Sequence, residues 1–143
     1  MPLVRFCPAL ACPVALVIAL APSLGLAKTY DCELTDGNAP YYIAPTVRVE
    51  YDSFGRVVAS DAVIRKTGRD TVFGKVDTDN ARRITFVWEV QDVKPDPKEP
   101  SFRNAHLIVR LTVQKADRSA RILVPDAAHN RQNAATGVCT LND

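Results

Sequence analysis

The chain is short of the residues that most chemistry needs. Its 143 residues hold two histidines, His106 and His129, and four cysteines. Cys7 and Cys12 fall in an apolar N-terminal stretch, which leaves Cys32 and Cys139 for the rest. Two unconnected histidines and one distant cysteine pair give no metal-ligand spacing, so no metal is expected. There is no nucleophile elbow, no phosphate-binding glycine loop and no zinc-protease helix motif. Ser101 is near His106 in sequence, but nearness along the chain does not make a triad. Glu50 and Glu89, on outward strand positions, offer an acid/base pair of a kind any β domain carries. No catalytic residue, no cofactor and no enzymatic activity is therefore expected. An excess of one charge is lacking too: 18 basic side chains face 16 acidic ones, a net +2. A nucleic-acid binder needs a concentrated basic face, so that class of partner is set aside. No internal repeat is visible, and no later segment shows a helical stripe bracketed by caps.

What is present begins with an export signal. Residues 6–27 carry no charge, follow Arg5 and contain the run Val14-Ala15-Leu16-Val17-Ile18-Ala19-Leu20. Pro22 breaks the segment, and Gly25-Leu26-Ala27 supplies the small residues of a cleavage site. Pro8, Pro13 and Pro22 make it a poor continuous membrane helix, and Cys12 lies too early to be a lipidation site. The reading is a signal peptide over 1–27 and a single domain over 28–143, periplasmic or secreted, with no stable membrane insertion after cleavage. Removing 27 of 143 residues leaves 116 and costs one charge, Arg5, so the net charge falls to +1. That length suits one core.

In an oxidising compartment the even pair Cys32 and Cys139 reads as a disulfide. Both lie in short strand-like runs, Thr29 to Leu34 and Gly137 to Leu141. Between them, period-two alternation dominates. Leu107, Val109, Leu111 and Val113 face one way in one run, and Ile84, Phe86, Trp88 and Val90 in another. Weaker runs are Thr46 to Tyr51, with Val47, Val49 and Tyr51 inward, Arg56 to Ile64, Thr71 to Asp77 and Arg121 to Val124. The best helical candidate is one or two turns after Pro125, with Asp126 as cap. Asp52 to Gly55, Asp77 to Asn80 and Ala116 to Ser119 read as turns. Seven or eight short strands predict an all-β domain, a small antiparallel barrel or sandwich with its terminal strands joined by the disulfide.

One connection is long. Gln91 to Arg103 contains three prolines, which exclude a ladder strand, and the charged residues Lys94, Asp96, Lys98, Glu99 and Arg103. Long loops on a rigid β scaffold often carry recognition, so this is the leading candidate binding loop. A second candidate patch combines Tyr41 and Tyr42, bunched between prolines, with His129 and Arg131 of a polar cluster before the last strand. Tyrosines offer apolar area and a hydroxyl together, and a guanidinium grips carboxylate or phosphate. The plainer readings are a solvated hairpin loop for the first, a loop making backbone hydrogen bonds for the His129 cluster, and a core position for at least one of the tyrosines.

Tyr30-Asp31-Cys32, the segment Tyr42 to Pro45, the strand around Trp88 and Ala135-Thr136-Gly137-Val138-Cys139 together resemble small exported proteins of uncharacterised function from alphaproteobacteria. That resemblance implies a fold and no activity. More loosely, the paired terminal cysteines on a compact β domain are similar to periplasmic inhibitors of C-type lysozyme. Those proteins present a Ser-Gly-x-x-Tyr loop, whereas here Ser53 is followed by Phe54 and Ser60 by Asp61. The expected function is non-enzymatic binding of an envelope protein or a small ligand. Inhibition of a cell-wall hydrolase is the alternative, and a ligand carrier or small hydrolase comes behind it.

Overall fold

A computed structural model describes residues 27–35, 37, 41–98, 104–126 and 131–143, so the predicted signal segment lies almost wholly outside it. Eight strands run in chain order: β1 (Lys28–Thr35), β2 (Thr46–Tyr51), β3 (Arg56–Asp61), β4 (Val72–Asp79), β5 (Arg83–Val93), β6 (Ala105–Gln114), β7 (Ser119–Asp126) and β8 (Arg131–Asn142). One short helix, α1 (Ala62–Lys66), follows β3. Each strand pairs antiparallel with the next, and β8 returns to β1, closing a barrel. Closure removes every exposed strand edge.

The inward set is the one that alternation marks: Tyr30, Cys32 and Leu34 on β1, Val47 and Val49 on β2, Ile84, Phe86, Trp88 and Val90 on β5, and Leu107, Val109, Leu111 and Val113 on β6 are buried. An eight-stranded barrel is just wide enough for side chains to fill it. Trp88 is the largest, and its cross-strand partner on β4 is Gly74. A Cβ on Gly74 would stand 3.0 Å from that of Trp88 and 2.5 Å from the Val87 carbonyl oxygen, so the glycine makes room for the indole. Trp88 Nε1–H is buried with no hydrogen-bond partner among the described residues. Leaving it unpaired costs about 1–3 kcal/mol, while burying about 200 Å² of aromatic surface contributes about 5 kcal/mol. Packing wins.

Cys32 and Cys139 are bonded and face inward, directly opposed across the β1–β8 seam with their Cα atoms 3.9 Å apart. The Cys139 N–H donates to the Arg118 carbonyl on the other side, 2.9 Å. The pair is therefore a non-hydrogen-bonded one across the seam, the kind in which side chains approach most closely.

The structure corrects several sequence boundaries. Ala62 to Ile64, predicted to continue a strand, belong to α1. Asp61 ends β3 pointing inward, and its Oδ1 accepts the Ile64 N–H at 2.7 Å, a helix N-cap. Val63 and Ile64 then turn into the core and plug that end of the barrel. The alternation continued through β-branched residues, but tertiary burial decided the conformation. β4 runs on to Asp79, which displaces the predicted turn to Asn80–Arg82. β5 runs on through a bulge to a buried Val93, so the long loop begins at Lys94 rather than Gln91. Asp92 at the bulge has φ 62°, a left-handed conformation that aspartate tolerates. Asn133, predicted to lie in a loop, is buried on β8 opposite Val124. The helical turn predicted after Pro125 falls on residues 127–130, outside the described residues.

Asp61 carries a pH consequence. Burial is the largest influence on its carboxyl and pushes it above the ordinary carboxylate range, against the N–H groups of Ile64 and Val63 and the charges of Arg65 and Lys66. A carboxyl whose folded pKa is raised favours the folded state most while protonated. Its contribution is full below the unfolded value, about 4, and declines as pH rises through the folded value. Asp61→Asn, which keeps an acceptor for the cap and cannot ionise, should remove that decline. Melting temperature followed upward from pH 4 should fall less in the variant than in the wild type. Parallel curves would show that Asp61 does not titrate in that range.

Candidate functional site

The meander order sorts the connections by end. Asp52–Gly55, Asn80–Arg82 and Lys115–Arg118 close one rim, each tied by a side chain that accepts backbone N–H groups. Asp52 Oδ1 takes Phe54 and Arg56, Asn80 Oδ1 takes Arg82 and Arg83, and Asp117 Oδ1 takes Ser119. The other four connections, β1–β2, β3–β4 with α1, β5–β6 and β7–β8, leave the opposite rim, and the first three of them are the long ones.

At that rim two of the sequence candidates meet. Ile43 and Ala44 are buried, and the Pro45 carbonyl accepts the Leu34 N–H at 2.7 Å, which pins the tyrosine segment to the barrel top. Tyr41 and Tyr42 stand half-buried in edge-to-face contact, centroids 5.2 Å apart. The Tyr42 hydroxyl accepts a long hydrogen bond from the Asp96 N–H at 3.4 Å, which joins the segment to the β5–β6 loop. Asp96 Oδ1 in turn accepts the Lys98 N–H at 2.9 Å, a local turn that holds the loop's start. Lys94 and Lys98 are exposed beside it.

Sequence reasoning missed α1's share. Lys66 sits with its ammonium 4.2 Å from the Tyr41 ring centroid, a cation–π contact, and donates to the Tyr41 carbonyl at 3.5 Å. The signal was present in Asp61 as a cap and Gly68 beyond the last turn, where φ is +80°. Arg65 opens onto a polar groove of about 490 Å³ running down the outer wall past Glu33, Thr46, Arg48 and Ser60. Arg48 is already committed there, bridging Asp31 at 2.6 and 3.2 Å. That contact is the largest influence on Asp31 and lowers its carboxyl below the usual range.

Other candidates are not brought in. Glu99, Arg103 and His129 lie outside the described residues, as does Ser101, and Arg131 is described only as the first backbone position of β8, paired with Asp126 at the same rim. Glu50 and Glu89 sit on the non-adjacent strands β2 and β5, so they form no acid/base pair. Glu89 instead meets His106 at 3.0 Å on the exposed outer wall. Among the described residues, no three His, Cys, Asp or Glu side chains are grouped to hold a metal ion. What the rim can do is present aromatic area, a backbone held in place and exposed cations. No protein-family model, curated protein or solved structure matches this chain, so its function has to be argued from its own geometry.

Proposed function

We propose that the chain is an exported, non-enzymatic binding domain of the periplasm or extracellular space, which captures an envelope protein on the rim formed by Tyr41, Tyr42, α1 and the β5–β6 loop. The observation that carries this reading is the Tyr42–Asp96 contact, with Lys66 on Tyr41. It fuses three separate connections into one surface on a rigid base. Recognition by loops on a stiff β scaffold is the usual division of labour in such folds. The disulfide supports a non-cytoplasmic, oxidising compartment. A barrel interior occupied by Trp88, Phe86 and their neighbours supports binding at the surface over carriage in a central chamber.

The test uses the full chain, expressed with its native N-terminal segment, recovered oxidised and cross-linked to envelope proteins. Wild type and the opposite-rim variant Phe54→Ala should retain the same partner. The triple variant Tyr41→Ala, Lys94→Ala, Lys98→Ala should reduce capture about tenfold or more, the loss of roughly 1.4 kcal/mol. Equal capture by all three proteins would place the partner elsewhere and overturn the proposal.

A further inference from the structure

The rim of tight turns holds a feature that the proposed partner surface does not use. A groove of about 540 Å³ opens there, lined by Lys28, Tyr51, Asp52, Ser53, Gly55, Val76 and Asp79. That volume falls within the range of small-molecule sites, about 300–1,000 Å³. Its apolar wall is Val76 and Tyr51. Tyr51 is partly exposed and belongs to a cluster of rings: Tyr30 stacks on it at 6.1 Å with planes 15° apart, and Phe86 tilts against it at 5.3 Å. Tyr30 and Phe86 are buried, so they hold Tyr51 from within while its remaining surface faces the groove. A further planar ring laid there would extend an existing stack, a geometry aromatic pairs favour.

The charges on the groove cancel except one. Asp52 is held by Arg56 (Nε–Oδ2 2.6 Å) as well as by the two turn N–H groups. Asp79 is paired with Lys115 at 2.5 Å. Lys28 has no carboxylate partner among the described residues. Burial first, then Tyr30, Asp79 and Asp143, holds the Tyr51 hydroxyl above its ordinary pKa, and a hydrogen bond with the Tyr30 side chain adds to the rise, so Tyr51 brings no negative charge to the groove. Asp143, at the end of the chain, is exposed and does not line the groove. An aromatic surface and one unpaired ammonium match a planar ring carrying a carboxylate.

We infer that this groove is a binding site for small aromatic acids, the ring resting on Tyr51 and Val76 and the carboxylate meeting Lys28. The site is separate from the proposed protein-binding rim, and each stands or falls without the other.

The experiment titrates the oxidised, isotope-labelled chain with benzoate, using benzylamine and acetate as controls, and follows backbone amide shifts. The mature N-terminus is first identified by mass spectrometry. Benzoate should move the amides of Thr29, Tyr51 to Gly55 and Val76 along one saturable curve. Benzylamine, with the wrong charge, and acetate, with no ring, should leave them in place. Lys28→Glu should weaken benzoate about tenfold and Lys28→Arg should restore it. Lys28 is the exposed first residue of β1, so these variants leave the core untouched, unlike Tyr51→Ala. Benzylamine equal to benzoate, full binding by Lys28→Glu, or shifts scattered over the barrel without saturation would each overturn the inference.

Discussion

Replacing Cys32 and Cys139 together by alanine is expected to lower the stability of the barrel by about 2–5 kcal/mol, a fall of about 10–20 °C in melting temperature. The magnitude follows from where the bond sits. In a meander every strand pairs with its chain neighbour, so most seams close over short connections and cost little entropy. The β1–β8 seam is different, since it joins Thr29 to Asn142. The disulfide spans 107 positions at that seam. In the chain-entropy account a loop of that size is worth about 4.7 kcal/mol. Alanine is the right replacement because both sulfurs are buried, and serine would add two unsatisfied hydroxyls. Oxidised wild type and the double variant should be compared by thermal melting in one buffer. A difference under about 1 kcal/mol would mean that strand pairing alone holds the seam closed.

Gly137→Ala is expected to cost about 3 kcal/mol, large for a single methyl group. Gly137 faces Leu34 in the same seam, two residues from Cys139. A Cβ built there overlaps the Glu33 carbonyl oxygen and crowds the Leu34 Cα. Those are backbone atoms, with no side chain free to swing aside, so β1 and β8 must separate locally to admit it. Urea unfolding should show a lowered midpoint, and hydrogen exchange should quicken at amides of β1 and β8 before those of β5 and β6. Uniform exchange with an unchanged midpoint would mean that the seam relaxes at no cost. Because Gly137 and Cys139 share a strand, the two perturbations should not add. The disulfide limits how far the strands part, so Gly137→Ala should do more damage when the cysteines are gone.

The sequence made the walls of this barrel readable and left its ends obscure. Period-two alternation is a local property, so Ile84 to Val90 and Leu107 to Val113 announced their inward faces directly. Cys32 and Cys139 announced the joining of first strand to last, because an even pair at opposite ends of a domain, in a sequence that reads as exported, implies a bond between them. α1 was hidden because Val63 and Ile64 carry the β-branched signature of a strand. Their burial as a plug depends on β3 stopping there and on β5 lying alongside. The meeting of Tyr41 with Lys66, 25 residues apart, and of Tyr42 with Asp96, 54 apart, needed the strand order. A sandwich with the same strands would have distributed those connections differently. The groove beside Tyr51 was hidden for the same reason, since Lys28, Tyr51 and Asp79 come from three strands that only the barrel brings to one rim.

The sorting of connections by end also governs how the domain can be held. β1 starts and β8 finishes at the rim of tight turns, and the tyrosine rim faces the other way. Whatever grips the polypeptide at Lys28 or Asp143, whether a tether, a fused domain or a solid support, displays Tyr41, Tyr42 and Lys66 outward like the head of a stalk. The same grip brings the tether close to the Tyr51 groove. The barrel thus gives the chain a handle and a face.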